Sequence, residues 1–224
     1  MTELRLVAPE AEEGPFSVGT PLPRRLPPGR HGIPAGLVTE HQRLRLLAAM
    51  AEALSAHGYA NVTTTHVSEL ANVSTSTFYR HFGNLWDCLL AAYVASADRL
   101  CAAIETGCAA ATEDADDPVE VGIDAALSFL AAEPDIGLLL CAQAPREARA
   151  LCAARRLLVS RLAAMLRRSR ETEEDAPQPA GLDERLIDAT LAFVHTRICS
   201  GEAEQLTELG AELVAILDRP RCAA

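Results

Sequence analysis

The sequence predicts an all-α protein, on three observations. Of its 224 residues 49% are hydrophobic but only 4% aromatic, with Ala and Leu, both strong helix formers, dominating. Long stretches lack the alternation of β-branched residues and the turn residues that strands need. Apolar residues instead recur at spacings of three and four, the period of a helix with one buried face. The length suits one large or two small domains with a sizeable core.

Residues 1–36 are rich in Pro, Gly and acids, contain "PLPRRLPPGRHGIP" and sustain no period, which predicts a disordered arm. From about Thr39 a helical stripe of Leu44, Leu47, Ala51 and Leu54 begins, and Gly58 is expected to end it in the left-handed stop conformation. Thr63 can cap a short second helix through Val67, Leu70 and Ala71. Asn72 suits a tight turn with positive φ, and Ser74 can cap a third helix running to about Phe82. After Gly83-Asn84 a long helix is predicted from Leu85 to about Ala111. Further helices are predicted near 118–132, 135–142, 145–170, 182–199 and 202–218, with Pro134 and Pro145 at breaks and a charged loop over 171–181. The predicted divisions are an arm over 1–36, a helix-turn-helix unit over 37–84 and a larger helical domain over 85–224.

No run reaches the roughly 18 apolar residues of a membrane span, and no basic segment leads into an apolar one at the start, so a cytoplasmic protein is expected. Seven cysteines occur singly, without Cys-x-x-Cys pairs or zinc spacing; small buried thiols in a reducing compartment are expected, with no metal and no cofactor. The formal net charge of −11 argues against a polyanion partner, but it is unevenly spread. Residues 21–85 hold six arginines against three glutamates, which leaves room for a modestly basic face on an acidic body.

Residues 72–84 read "NVSTSTFYRHFGN". Phe78 and Phe82 share a face as core residues, but core packing does not account for Tyr79, Arg80 and the run of hydroxyls. Three short helices, the last two joined by a turn of about three residues, have the form of a helix-turn-helix. A hydroxyl-rich helix start can donate to phosphate, while Tyr and Arg reach backbone and base edges. From Glu40 to Tyr93, through Gly58-Tyr59, Thr63-Thr64, Val67, Ala71-Asn72-Val73-Ser74, "STFYRHFGN" and Leu89, the chain resembles the TetR (tetracycline-repressor-like) family of bacterial transcriptional regulators. That resemblance implies that Thr77 and Tyr79 hold phosphates and that Thr75, Ser76 and Arg80 face bases or the groove. Thr63 and Ser74 complete the candidate DNA-binding set with His81, for which packing near the hinge is the favoured alternative. The chain departs from the family's pattern at Asn72 and Ser76, where glycines are usual, and at Leu85, where a phosphate-binding lysine is common. Trp86 is expected to pack beneath the helix-turn-helix rather than to touch the groove. Arg24, Arg25 and Arg30 are candidates for a minor-groove arm that offsets the missing lysine, with a solubilising tail as the equal alternative.

The resemblance further implies a homodimer, a double-stranded DNA operator with an inverted repeat and a small-molecule effector of unknown identity; a repressor is commoner than an activator in this family. In the last helix Leu206, Leu209, Leu213 and Leu217 recur at helical spacing, with Gly210 permitting close approach, and are candidates for the dimer interface. The preceding helix is apolar on two sides, Leu182, Leu186, Ala189 and Phe193 on one and Ile187, Leu191, Val194 and Ile198 on the other. Candidate effector-pocket residues are Ile104, Cys108, Phe129, Leu138, Cys141, Cys152 and Leu158, with Arg155 and His195 as polar groups; ordinary core packing is the alternative for each. The scarcity of aromatics argues against large planar ligands. Two other classes remain beside the effector-responsive regulator: a redox-responsive one using a cysteine, and an all-α enzyme or interaction module. No nucleophile–base pair, paired carboxylates or phosphate loop supports an enzyme.

Overall fold

The computed structural model describes residues 35–110, 117–142, 148–170 and 181–217, and every element among them is helical. The arm residues Arg24, Arg25 and Arg30 lie outside the described residues. The chain divides into two compact units after Arg45, and the described part of the first is the opening of helix α1.

Helix α1 spans Ala35–Asn61, starting about one turn before the predicted point. Gly58 does interrupt it, but not as a left-handed stop: its φ of 69° and ψ of 169° fall in an extended region open essentially to glycine alone. The chain then recovers one more turn, with the Val62 N–H donating to the Gly58 carbonyl at 3.1 Å. Thr63 caps α2 (Thr64–Leu70), its side chain accepting from the His66 N–H at 3.2 Å. The turn that follows is closed by three backbone bonds, from Ala71 to Val67, Asn72 to Glu69 and Val73 to Ser68, each 2.9 Å, with Asn72 at φ 49°. Ser74 then caps α3 (Thr75–His81) through the Thr77 N–H at 3.0 Å. Both caps and the positive φ were predicted from residue type.

Asn84 opens α4 (Leu85–Ala110) reciprocally: its side-chain oxygen accepts from the Asp87 N–H at 2.9 Å and its amide donates to the Asp87 carboxylate at 3.0 Å. Asp117 caps α5 (Pro118–Ala132), and proline at the first position of α5 and of α6 (Pro134–Cys141) sets φ for a helix start. Helix α7 spans Arg149–Arg170 and α8 Leu182–Cys199. Helix α8 ends at Gly201, φ 79°, with Glu202 N–H bonded to Arg197 and Gly201 N–H to Ile198, a Schellman closure. The predicted helix over 202–218 is instead a 3-10 helix, Ala203–Leu209, followed by α9, Gly210–Leu217.

From Leu46 onward one continuous core runs from the helix-turn-helix to α9. Phe78 is fully buried, and Phe82 packs beside it, the rings tilted by 48° with centroids 5.7 Å apart. Truncating Phe78 to Ala would remove about 3–5 kcal/mol, enough to unfold this part of the chain. Helix α5 is the central element of the remainder, touching α4, α6, α7, α9 and the 3-10 helix, while α8 packs on α6 and α7. Gly137 of α6 lets α8 approach: a Cβ there would stand 2.5 Å from Ile198 Cδ1. The Arg161–Asp98 pair at 2.6 Å and the Arg99–Glu133 pair are largely exposed and add about 0–1 kcal/mol each.

Candidate nucleic-acid interface and ligand cavity

With Phe78 turned into the core, the opposite face of α3 carries Thr75, Ser76, Tyr79 and Arg80, two i/i+4 pairs, all exposed. Tyr79 is 58% exposed although its ring stands edge-on to Phe78 at 5.4 Å, so the core steadies the ring while most of the side chain remains open to solvent. Thr77 is half-buried, its hydroxyl 2.9 Å from Ser74 Oγ. Ser74 and Thr63 are exposed caps whose oxygens already accept backbone bonds. His81 is half-buried, its ring tilted against that of Phe82 with centroids 6.4 Å apart. The structure thus brings Thr75, Ser76, Tyr79 and Arg80 together on one exposed face of α3.

Trp86 is not beneath the unit: it is 51% exposed at the start of α4, while its neighbour Leu85 is the half-buried residue that packs on the core. Hydrophobicity suggested burial for Trp86, but adjacent helical residues point about 100° apart, and here it is Leu85 that turns to the core. Residues 46–92 contain one arginine, Arg80, against Glu52, Glu69 and Asp87. This surface offers hydroxyls, an aromatic edge and a single guanidinium rather than a basic patch.

In the C-terminal part, a cavity of about 370 Å³ opens between α4, α5, α7, α8 and α9. Its wall is aliphatic, with Leu100, Leu127, Leu162, Leu166 and Val194 prominent, and no aromatic ring lines it. Polar groups at the wall are Glu105, Arg168, Ser169 and Thr190. The two hydroxyls are committed to their own helices, Ser169 donating to Met165 O at 3.2 Å and Thr190 to Leu186 O at 2.9 Å, so inward they present only lone pairs. Of the candidate pocket residues, Ile104 and Cys108 line this cavity, whereas Phe129, Leu138, Cys141, Cys152, Arg155, Leu158 and His195 do not. Leu158 and Cys141 are buried core, Phe129 lies under the Arg99 guanidinium at 5.4 Å, and His195 stands beside Cys199, 3.6 Å from Nε2 to Sγ. The sequence sign of the cavity is on α5, where Gly122 and Ala126, one turn apart, leave space that larger side chains would fill.

Leu206, Leu209, Gly210, Leu213 and Leu217 are corrected as well: all are buried within the single chain, Leu213 to 4% exposure, because the 3-10 helix and α9 lie against α5. Exposed apolar surface remains instead on α8, where Phe193 is 42% exposed on the side that also holds Leu182, Leu186 and Ala189, and at Ile216. Among the described cysteines, Cys88, Cys101 and Cys141 are buried. Burial raises Cys101 and Cys108 above the ordinary thiol range and pushes Cys141 up to about 12, which suppresses the reactive thiolate. No described helix is long and apolar enough to cross a membrane.

Residues 46–92 match the family model for bacterial regulatory proteins, tetR family. No curated protein matches the chain. Solved structures do. The fatty acid degradation regulator FadR from Bacillus halodurans is 17% identical with a TM-score of 0.67, over 80% of this chain and 96% of that one. FadR from Bacillus subtilis, solved in complex with stearoyl-CoA, is 18% identical with a TM-score of 0.62, over 78% and 96%. A tetR family transcription regulator from Shewanella is 18% identical with a TM-score of 0.61, over 79% and 95%. At such identity the structural likeness carries the fold, and the family match carries the helix-turn-helix. Together they make this chain a TetR-like transcriptional regulator, built on the N-terminal domain of the tetR family of bacterial regulatory proteins.

Proposed function

We propose that the chain is a homodimeric repressor whose two α3 helices read an inverted-repeat operator, and which leaves that operator when an aliphatic small molecule enters the cavity. The carrying observation is the exposed quartet Thr75, Ser76, Tyr79 and Arg80 over a fully buried Phe78. A seven-residue surface helix gains nothing in stability from exposing a tyrosine and an arginine, whereas a major groove offers partners to both. Tyr79 and Thr77 take phosphates, Arg80 takes a base edge, and the exposed Trp86 lies where it can pack on the backbone beside them. The apolar side of α8 supplies the dimer contact. The largely aliphatic wall, free of aromatic rings, supports an effector with a flexible hydrocarbon part, a class to which the acyl chain of stearoyl-CoA, bound by Bacillus subtilis FadR, belongs.

The test begins by selecting bound sites from random DNA, followed by competition binding of the selected and scrambled duplexes to the parent, Tyr79→Phe and Arg80→Ala chains. Tyr79→Phe should weaken both duplexes alike. Arg80→Ala should flatten the preference at one position per half-site by about 1–3 kcal/mol. Equal binding of both duplexes by the folded parent would remove α3 as a reading head.

A further inference from the structure

Arg155 is 8% exposed on the buried side of α7, and only one of its nitrogens is satisfied among the described residues: Nη1 pairs with Asp188 of α8. Nε and Nη2 are buried without a hydrogen-bond partner. These two N–H groups form the side-on fork of a guanidinium, the edge that matches the two oxygens of a carboxylate. The Tyr59 hydroxyl, from the end of α1, is likewise buried and unpartnered. The guanidinium lies near enough to act electrostatically on Tyr59, on Tyr93 of α4 and on Cys141 of α6. Among the described residues the site therefore holds a surplus of donors, and the carboxylate paired with Arg155, Asp188, occupies the other end of the guanidinium. Leaving such donors unmade in a buried site is costly, and an acceptor brought from outside would remove the cost.

The position relative to the cavity is fixed by helical spacing. Arg155, Leu158, Leu162, Leu166 and Ser169 follow one stripe of α7, and the last three line the cavity. Tyr93, Leu100, Ile104 and Cys108 follow one stripe of α4 in the same way. Arg155 and Tyr93 each stand two turns, about 10 Å along the axis, beyond the end of the cavity, with the buried Leu158 between.

We propose that Arg155 forms a carboxylate-binding site on the buried side of α7, beside its pair with Asp188 of α8, with the Tyr59 hydroxyl as a second donor. The acid is either the head group of the molecule whose hydrocarbon part fills the cavity, once Leu158 turns aside, or a separate small acid. The first source rests on the effector reading; the second does not. Tyr59 sits on the helix that leads into the helix-turn-helix, so occupancy bears directly on the DNA-binding end.

The experiment measures binding of acetate, octanoate, octanamide and octanol to the full chain by calorimetry and thermal shift in carboxylate-free buffer, for the parent, Arg155→Lys, Arg155→Met and Tyr59→Phe. An acid is expected to bind the parent about tenfold or more tighter than its uncharged counterpart. Arg155→Lys, which keeps the charge but not the fork, and Arg155→Met should both lose that margin, and Tyr59→Phe part of it. Octanoate binding with acetate silent assigns the acid to the cavity's occupant; equal binding of acetate and octanoate assigns a separate small acid. Octanamide and octanol binding as well as octanoate would overturn the site while leaving the cavity reading intact. Acetate binding with every eight-carbon probe silent would leave the site standing and remove the aliphatic effector. Should Arg155→Met fail to fold, the acid-against-amide comparison on the parent and the Lys variant still decide.

Discussion

Asn72 shows how much one residue type can state. In the left-handed region at φ 49° it joins α2 to α3, and its short polar side chain is what tolerates that conformation among non-glycine residues. Asn72→Gly is expected to change stability by a few tenths of a kcal/mol, whereas Asn72→Val should cost about 1–2 kcal/mol, read as a lower urea midpoint at unchanged slope. If Val is tolerated as well as Gly, the turn has another conformation in solution. Cap and turn residues were legible because their signal is local: Thr63, Asn72 and Ser74 each act on a backbone group within three residues. Trp86 and Arg155 were not, because their placement depends on what lies across the interface. Helical spacing gives each side chain a face but does not say which face another element covers.

At the scale of elements the same limit explains the last two helices. Leu206, Leu209, Leu213 and Leu217 carry a clean apolar stripe, and nothing in that stripe distinguishes burial against α5 from burial against a second chain. No local residue marks Ala203–Leu209 as 3-10 rather than α; its sequence has ordinary helix formers. Helix α8 was read as apolar on two sides, and the structure buries Ile187, Leu191, Val194 and Ile198 while leaving Leu182, Leu186, Ala189 and Phe193 partly or fully exposed. The two faces predict opposite outcomes for similar substitutions. Phe193→Glu should yield a folded monomer by light scattering, with helical circular dichroism retained and operator affinity reduced by loss of the second half-site. Leu213→Glu should instead unfold the chain, since it places a charge at a position 4% exposed in one protomer. A Phe193→Glu chain that remains dimeric would move the interface off α8.

On the scale of the whole molecule, charge decides how such a protein holds DNA. Each chain carries a formal −11, and its helix-turn-helix residues 46–92 contribute one arginine against three carboxylates. Counterion release gives a slope of about −0.9 in log affinity against log salt for each phosphate a cation neutralises. On the proposed reading, two copies of Arg80 would add at most about −2 to that slope even if each neutralised a phosphate as well as reading a base. The cations that precede the helix-turn-helix in the sequence are Arg43 and Arg45 early in α1 and Arg5, Arg24, Arg25 and Arg30 before it. If that leading segment follows the minor groove, deleting residues 1–34 should make the slope shallower by about 0.9 for every arginine withdrawn, while leaving the base preference set by Arg80 unchanged. Fluorescence anisotropy on the selected operator from low to moderate salt measures both quantities on one pair of proteins. Equal slopes for the full and shortened chains would show that the segment makes no phosphate contact, and that hydroxyl and aromatic groups hold the operator with little help from charge. A changed base preference would place the leading arginines at base edges instead, where their loss is read position by position rather than through salt.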